Sequence, residues 1–294
     1  RIVNYGADMV YTDEDKVSPD LKRYFKPYRK PDYNKTLLLS NNYICHFCVI
    51  NRKIVTEAGG FRSKYDGAQD YDLFLRCVDK CKVIEHVDKI LYHWRMTEGS
   101  TSSGGSHKNY AYDAGKRALE DYFKRNKIKA NVHLIGSPEM YRVEYLYQKE
   151  PKISIIIPTK DKASVLDTCL KSIYEKTKYS NYEVIVVDNN SSLKETFDLF
   201  DIYKEKYDNF KVLRLECEFN YSYLNNEAVK IASGEYIVLL NNDTEVISPL
   251  WLHDMVGYAS QAHIGCVGAK LLYPNQTVQH AGVVIGVGGI AMHA

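Results

Sequence analysis

From Lys152 onward, short runs of consecutive apolar residues alternate with stretches of helical periodicity. The apolar runs read SIIIP, EVIVV, KVLRL and YIVLL, and the helical stretches include SVLDTCLKSIYEK and YLNNEAVKIAS. Because the runs are continuous rather than alternating, they are typical of strands covered on both faces. This alternation predicts an α/β fold with a Rossmann-like, doubly wound and mostly parallel sheet.

Three of the predicted strands end in polar residues, at Pro158–Asp161, Asp188–Ser191 and Asn241–Asp243. In doubly wound sheets, ligands bind outside the carboxyl ends of the strands, where the strand order reverses. A carboxylate such as Asp243 suits Mg²⁺, which takes one or two protein carboxylates and otherwise binds water and phosphate oxygens. Any one of these strand ends is also explained by the preference of Asn and Asp for turns. Their coincidence on one sheet edge favours a binding site.

The residues after the first strand narrow the nature of the ligand. No glycine-rich phosphate fingerprint is present there, which argues against a dinucleotide or P-loop site. Asp188 and Asn189 carry acceptors and a donor that suit the edge of a pyrimidine.

The succession SIIIPTKDK, NYEVIVVDNNSS and NNEAVKIASGEYIVLLNNDTEVISPLWL resembles the nucleotide-binding half of glycosyltransferase family 2, whose fold is called GT-A. The resemblance runs through most of residues 152–251. It implies a nucleotide-sugar donor, with a UDP- or dTDP-sugar expected. It also implies a divalent metal, Mg²⁺ or Mn²⁺, and inversion at the anomeric carbon of the sugar.

The resemblance assigns roles to individual residues. It implies that Asp243 binds the divalent metal ion. Two departures from the family pattern concern base recognition and the metal motif: the acidic pair reads Asp-Asn here, and Asn241 replaces the first Asp of the metal motif. The matched nucleotide-binding positions are Pro158, Thr159, Asp161, Asp188, Asn189, Asn226 and Asn241.

The stretch GCVGAKLLYPNQTVQHAGVVIGVGGIAMHA looks like the next strand of the family fold, with a glycine-rich stretch after it. A flexible loop of this kind can close over a donor, and His280 could then contact a phosphate or the sugar. The alternative is that His280 sits in a surface turn.

Residues 59–77, GGFRSKYDGAQDYDLFLRC, resemble the acceptor-side half of the same family. Asp70 matches the catalytic base, with Gln69 in place of the usual Glu. The alternative is that Asp70 is a helix N-cap, and Asp72 is a second available carboxylate. In LYHWRMTEGSTS, His93 or Arg95 could contact the diphosphate or acceptor, or could instead pack beneath the acceptor loop.

The acidic stretch YTDEDK, which contains Asp13, Glu14 and Asp15, comes after a short predicted strand. It looks like a metal motif, but the resemblance aligns it one strand beyond the metal motif of the family. We therefore expect an exposed acidic turn rather than a set of ligands.

Together these segments predict two partial GT-A domains. Residues 1–105 correspond to the acceptor-side half of a first domain, 106–150 to a connector of helix and strand, and 151–294 to the nucleotide-binding half of a second domain. We therefore expect a fragment of a tandem glycosyltransferase. Exposed strand edges in half-domains also predict self-association.

Composition excludes some classes of protein. The 294 residues carry a formal charge of only +2, which gives no whole-chain case for nucleic-acid binding. No apolar stretch approaches the ~20 residues of a membrane span. The seven cysteines are odd in number and scattered, which favours a reducing compartment. We expect a cytoplasmic protein, peripheral at the inner face of the cell membrane.

The functional expectation is an inverting glycosyltransferase of bacterial cell-surface polysaccharide synthesis. Its partners would be the nucleotide-sugar donor and a saccharide or lipid-linked saccharide acceptor. The competing interpretation is a non-catalytic carbohydrate-binding or assembly fragment of such an enzyme.

Overall fold

The computed structural model describes residues 1–97, 109–136, 140–285 and 291–293. The chain divides into two compact units, Arg1–Leu146 and Tyr147–Ala294. Most of the segment predicted as a connector, 106–150, therefore belongs to the first unit. Among the described residues, no helix is both long and apolar enough to cross a membrane.

The first unit combines a mixed sheet with short helices and a 3-10 turn at Ser63–Tyr65. Its strands are β1 (Met9–Val17), β2 (Tyr24–Tyr28), β3 (Cys48–Ile50), β4 (Ile84–Arg95), β5 (Ala130–Ile135) and β6 (Met140–Tyr145). Its helices are α1 (Ile2–Tyr5), α2 (Lys35–Leu38), α3 (Arg52–Glu57), α4 (Gln69–Cys77) and α5 (Asn109–Arg125).

Strand β1 is the centre of the first unit. It pairs in parallel with β4 along one edge, and antiparallel with β3 and then β2 along the other. Its side chains are buried over nearly their whole length, as expected for a strand with neighbours on both sides. Strands β5 and β6 form a separate antiparallel hairpin, and α5 packs against α4 and β5.

The second unit alternates strands with helices. Its strands are β7 (Ile153–Thr159), β8 (Tyr182–Asn189), β9 (Phe210–Leu215), β10 (Tyr236–Leu239), β11 (Leu271–Leu272), β12 (Val278–His280), β13 (Val283–Ile285) and β14 (Ala291–His293). Its helices are α6 (Ala163–Lys176), α7 (Lys194–Lys206), α8 (Tyr221–Ile231) and α9 (Trp251–Ala259).

The main sheet of the second unit has the order β10-β7-β8-β9, with every pair parallel. Helices α6, α7 and α9 pack on one face through residues such as Leu170, Phe200 and Leu252, and α8 packs on the other through Leu224 and Ala228. The predicted doubly wound parallel sheet is confirmed. The strand order reverses at β7, whose neighbours are β8 and β10, and this is where such sheets bind ligands.

The prediction of a strand at GCVGAKLLYP is largely wrong. Only Leu271–Leu272 is extended, and it pairs with β12 rather than with the main sheet. Gly265 and Gly268 precede it, and glycine weakens a strand because it adds backbone entropy and no side-chain packing.

Candidate functional site

Polar residues at the carboxyl edge of the β10-β7-β8-β9 sheet meet at Thr159. Thr159 is the register partner of Asp188 across β7 and β8. On its other side, the Asn242 amide donates a hydrogen bond of 2.9 Å to the Thr159 hydroxyl. The three polar strand ends singled out in the sequence therefore meet on one edge.

Asp188 is a buried carboxylate with two internal partners. One oxygen accepts the Ser191 N–H at 3.0 Å, and the other lies 2.9 Å from Nη1 of Arg214. Arg214 is the register partner of Asp188 on β9, and its guanidinium lies over the ring of Phe197. The carboxylate thus fastens the loop after β8 to the neighbouring strand.

Asn189 ties β8 to the chain that leaves β9. Its Nδ2 donates to the carbonyl of Leu215 at 3.3 Å and to that of Cys217 at 2.9 Å. The neighbouring Asn190 amide also donates to the Cys217 carbonyl, at 2.7 Å. These donations fix the Asn189 amide so that its Oδ1 is the atom left to accept a further hydrogen bond.

Asp161 caps a helix that begins after the next strand. Its Oδ1 accepts the N–H groups of Ser192 and Leu193, at 2.8 and 3.0 Å, directly before α7. These two hydrogen bonds lower the pKa of Asp161. Asp161 and Lys162 both have positive φ, 51° and 54°, a conformation that is costly for residues other than glycine and recurs at functional sites.

Asn241 and Asp243, beyond the end of β10, are both exposed. The Asn241 carbonyl accepts the Thr244 hydroxyl at 2.9 Å. Asp243 has no hydrogen bond or ion pair with any residue that the structure describes. An accessible carboxylate of this kind fits a Mg²⁺ or Mn²⁺ ion whose other ligands are water and phosphate. Within the described ranges, no group of three or more His, Cys, Asp or Glu side chains could hold a metal ion.

The remaining candidates of the second unit lie at other places in the fold. Pro158 is part of β7, partly buried and paired with Val187. Asn226 is exposed on α8, whereas its neighbour Asn225 is buried against the sheet. His280 ends β12, in the β11–β12 hairpin.

Asp70 lies in the first turn of α4, and the residue at the N-cap position is Ala68. The N-cap interpretation of Asp70 is therefore wrong. One Asp70 oxygen accepts the Tyr71 N–H at 2.8 Å, and the other accepts the amide of Asn42 at 3.1 Å.

Asp72, the second carboxylate considered as a base, is buried. It forms ion pairs with Arg62 and Arg76, and Arg62 also pairs with Asp121 at 2.8 Å. Two guanidinium groups thus pair with Asp72, whereas Asp70 has no ion pair with any described residue.

The prediction of an exposed acidic turn at Asp13–Asp15 is wrong. The three residues lie inside β1 and are only 1%, 7% and 8% exposed. The sequence pattern could not reveal this because their partners come from distant segments. Each carboxylate pairs with a histidine: Asp13 with His86 at 2.8 Å, Glu14 with His46 at 3.0 Å and Asp15 with His93 at 2.5 Å.

Two of these carboxylates also have basic partners. Burial opposes the charge on Asp13, but hydrogen bonds from the Lys30 N–H, Arg29 and His86 outweigh it and lower the pKa of Asp13. Burial likewise opposes the charge on Glu14, and His46 and Lys30 lower its pKa. The Lys30 ammonium is fully buried, 3.2 Å from Glu14.

His93 and Arg95 lie at the end of β4. His93 pairs with Asp15, and its ring packs edge-to-face against the ring of Tyr24. Arg95 donates two hydrogen bonds to the Pro19 carbonyl. The side chain of His93 remains about half exposed, at 47%.

Sequence reasoning missed Arg214, Asn42 and Lys30. Arg214 is the one of the three with a usable signal, because a charged residue inside the apolar run KVLRL needs a partner on the next strand. Lys30 and Asn42 lie in irregular segments before and after α2, so no pattern linked them to Glu14 or Asp70.

Comparison with known proteins finds one matching family model and two longer relatives. Residues 154–284 match the family model described as Glycosyl transferase family 2. The protein y4gI of Sinorhizobium fredii is 44% identical over 98% of this chain and 32% of its own length. The O-antigen biosynthesis protein RfbC of Myxococcus xanthus is 41% identical over 97% of this chain and 22% of its own. The chain thus spans about a third and about a fifth of these relatives.

Two solved structures resemble smaller parts of the chain. The mannosyltransferase PcManGT from Pyrobaculum calidifontis, in complex with GDP-Man and Mn²⁺, is 21% identical with a TM-score of 0.36, covering 53% of this chain and 43% of that one. TarS 1–349 from S. aureus is 29% identical with a TM-score of 0.32, covering 38% of this chain and 33% of that one.

The family match extends over the parallel sheet and its polar edge at Thr159. Residues 154–284 of the second unit therefore match a glycosyltransferase family 2 domain, and their parallel sheet has a GT-A-like α/β architecture.

Proposed function

We propose that this protein is an inverting glycosyltransferase of bacterial cell-surface polysaccharide synthesis. It would move a sugar from a nucleotide-diphosphate donor to a saccharide or lipid-linked saccharide acceptor. The observation that carries the proposal is the family match over a sheet whose carboxyl edge joins Thr159 to Asp188 and to the segment bearing Asp243. The relative RfbC is named for O-antigen biosynthesis, which supports this class of product.

The proposed donor is a UDP- or dTDP-sugar bound along that edge. Asp188 and Asn189 would shape the base pocket, because their internal hydrogen bonds fix the ends of β8 and β9. Oδ1 of Asn189 would accept the ring N–H of a uracil or thymine. The other proposed nucleotide contacts are Pro158, Thr159, Asp161, Asn226 and Asn241, and His280 is proposed to contact the phosphate or sugar.

Asp243 would hold the Mg²⁺ or Mn²⁺ ion. When bound, such an ion neutralises the charge that develops on a departing diphosphate. The chain itself would contribute the Asp243 carboxylate, which lies at the edge where the donor would bind and has no ion pair with a described Lys or Arg.

The first unit would supply the acceptor side of a site of the same kind. The acceptor oxygen bonds to the anomeric carbon while the bond to the diphosphate breaks, and the bonding electrons leave with the diphosphate. The proton of the acceptor hydroxyl passes to Asp70, a step worth about 10²–10⁴-fold in rate. His93 and Arg95 would contact the diphosphate or acceptor. We propose that the two units belong to successive domains of one tandem enzyme.

Thermal unfolding of the protein with nucleotide sugars, with and without Mn²⁺, tests the donor site. A ligand at about 100 times its Kd stabilises the folded state by about 2.7 kcal/mol. We expect Mn²⁺-dependent stabilisation by UDP- or dTDP-sugars, and its loss in Asp243→Asn. Stabilisation by free saccharides alone would instead support a non-catalytic carbohydrate-binding fragment.

The expected location is the cytoplasm, peripheral at the inner face of the membrane. The scattered, odd number of cysteines supports a reducing compartment. Fractionation of cells into soluble, salt-released and membrane-retained protein tests this part of the proposal.

A further inference from the structure

Asp70 receives a hydrogen bond from a loop 28 residues earlier in the chain. The Asn42 amide donates to its Oδ2 at 3.1 Å, and the Tyr71 N–H donates to its Oδ1 at 2.8 Å. A carboxylate has about four acceptor positions, so both oxygens keep room for another partner. Contacts on two sides therefore fix the orientation of the carboxylate.

The Asn42 amide has one orientation that the surroundings allow. Its Oδ1 is buried and has no hydrogen-bond partner among the described residues. Rotating the amide by 180° would bring that oxygen against the Asp70 carboxylate, where two acceptors repel each other. A buried acceptor without a partner is unfavourable. The donation to Asp70 is thus the polar contact that the side chain retains.

The loop that carries Asn42 is fastened to strand β1 through Glu14. The His46 N–H donates to Glu14 at 2.7 Å, and Lys30 donates both to Glu14, at 3.2 Å, and to the Cys45 carbonyl. The Cys45 thiol in turn donates to the Asn42 carbonyl at 3.0 Å. Hydrogen bonds made by Lys30 and by Cys45 therefore connect Glu14 to the backbone of Asn42.

Charged groups near the Asn42–Asp70 contact act on the Cys45 thiol. Burial raises the pKa of Cys45, and the carboxylates of Asp70 and Glu14 raise it further while Lys30 opposes them. The thiol therefore stays neutral near neutral pH. Glu14 and Lys30 form an ion pair at 3.2 Å.

We propose that Asn42 is a positioning residue for Asp70, holding the carboxylate in one orientation. The inference rests on the proposed function, in which Asp70 takes the proton of the acceptor hydroxyl. Glu14, through Lys30 and Cys45, holds Asn42 in place.

The test is the pH dependence of sugar transfer by the full-length protein, compared among wild type, Asn42→Ala and Asn41→Ala. Asn41 is the matched control because its side chain has no hydrogen bond with the described residues. We expect Asn42→Ala to lower kcat about 10- to 100-fold, less than the whole effect of a general base. We also expect its acid-side midpoint to move to higher pH, because the ionised carboxylate loses a donor. Lost stability alone would not move that midpoint.

A carboxyl ¹³C NMR titration, with the Asp70 signal assigned through Asp70→Asn, gives a readout that needs no activity. The isosteric Asn42→Asp preserves packing if Asn42→Ala unfolds, and it should raise the midpoint further because it adds a second carboxylate. If wild type transfers sugar and neither midpoint moves in the Asn42 variants, the inference is overturned and the proposed function stands. If wild type transfers nothing while the NMR midpoint moves, the contact stands and the proposed function fails.

Discussion

The first unit buries acidic residues inside a strand, whereas the second leaves one exposed beyond the end of a strand. Glu14 is 7% exposed and faces a fully buried ammonium, that of Lys30. Asp243 is exposed and has no partner among the described residues. An acidic residue can therefore bind an external cation only where the protein has not already supplied one. The partners of a carboxylate decide its role, and clustering in the sequence does not.

The same contrast recurs within helix α4. Asp72 is held between Arg62 and Arg76, while Asp70, two residues earlier, meets a neutral amide. The two carboxylates share one helix and differ in what approaches them from other segments. In the proposed function, Asp72 is accordingly a structural group and Asp70 is the base.

The largest expected effect is on the buried pair of the first unit. Glu14→Gln leaves the Lys30 ammonium buried without a carboxylate, and breaking such a pair costs about 3–5 kcal/mol. Asp15→Asn is the matched control on the same strand, since its partner His93 is half exposed and no buried ammonium is left behind. We expect its cost to be about 1 kcal/mol or less. Urea unfolding measures both, and equal losses in the two variants would contradict the contrast.

The second prediction concerns the exposed carboxylate. Asp243→Asn should lower metal-dependent transfer by about 100-fold, at the upper end of the effects seen when metal-site partners are removed. Its free energy of unfolding should change by about 0.5 kcal/mol or less, as for other surface substitutions. Glu245→Gln is the control, because that carboxylate is two residues away and pairs with Lys176 at 2.6 Å. Equal activity losses in the two variants would remove Asp243 from the metal site.

The fold of the second unit was largely predictable because its signals are local. The continuous apolar runs of SIIIP and EVIVV reflect burial on both faces, and the polar residues after each strand come at the end where parallel sheets bind ligands. Both features are written within single segments of about ten residues.

The site was less predictable because its contacts join distant segments. The acidic residues of β1 were predicted to form an exposed turn. No pattern near Glu14 in the sequence indicates its partners Lys30 and His46, which lie 16 and 32 residues later. The pairing of Arg214 with Asp188 likewise depends on the register of two strands. Periodicity reports which face is buried, and it carries no information about which charges meet there.

The third prediction compares acid sensitivity. Burial opposes the charge on Glu183, but hydrogen bonds from Lys211, Ser154 and Ser233 outweigh it and lower its pKa to about 2. Since the folded pKa lies below the unfolded value of 4.5, the stabilisation is present above pH 4.5 and is lost as the pH falls toward 2. Glu183→Gln should lower stability at pH 7 by about 2 kcal/mol and flatten its decline in acid.

The measurement is urea unfolding at several pH values between 7 and 3, monitored by a probe in the second unit. Trp251, whose indole N–H donates to Thr177 at 3.0 Å, provides that fluorescence signal in a Trp94→Phe background, since Trp94 of the first unit also fluoresces. The exposed Glu245→Gln is again the control, and its pH dependence should match wild type. A variant curve parallel to wild type over the whole range would refute the role of Glu183.

The smallest expected effect concerns sheet edges, where the two units also differ. Strand β2 carries Lys26 and Pro27, residues that discourage pairing at an edge. Strand β10 pairs only with β7 among the described residues, and it presents Ile237 and Leu239, which are 37% and 51% exposed. We therefore propose weak self-association through β10.

Leu239→Lys should weaken that association by about 1 kcal/mol, since a charge replaces an apolar cross-strand contact. This corresponds to about a fivefold rise in the dissociation constant, measurable by sedimentation equilibrium. Tyr24→Lys on β2 is the matched control, because it adds the same charge at an edge that is already protected. If the two variants weaken association equally, net charge rather than the β10 edge governs it, and the two edges do not differ in the way their side chains suggest.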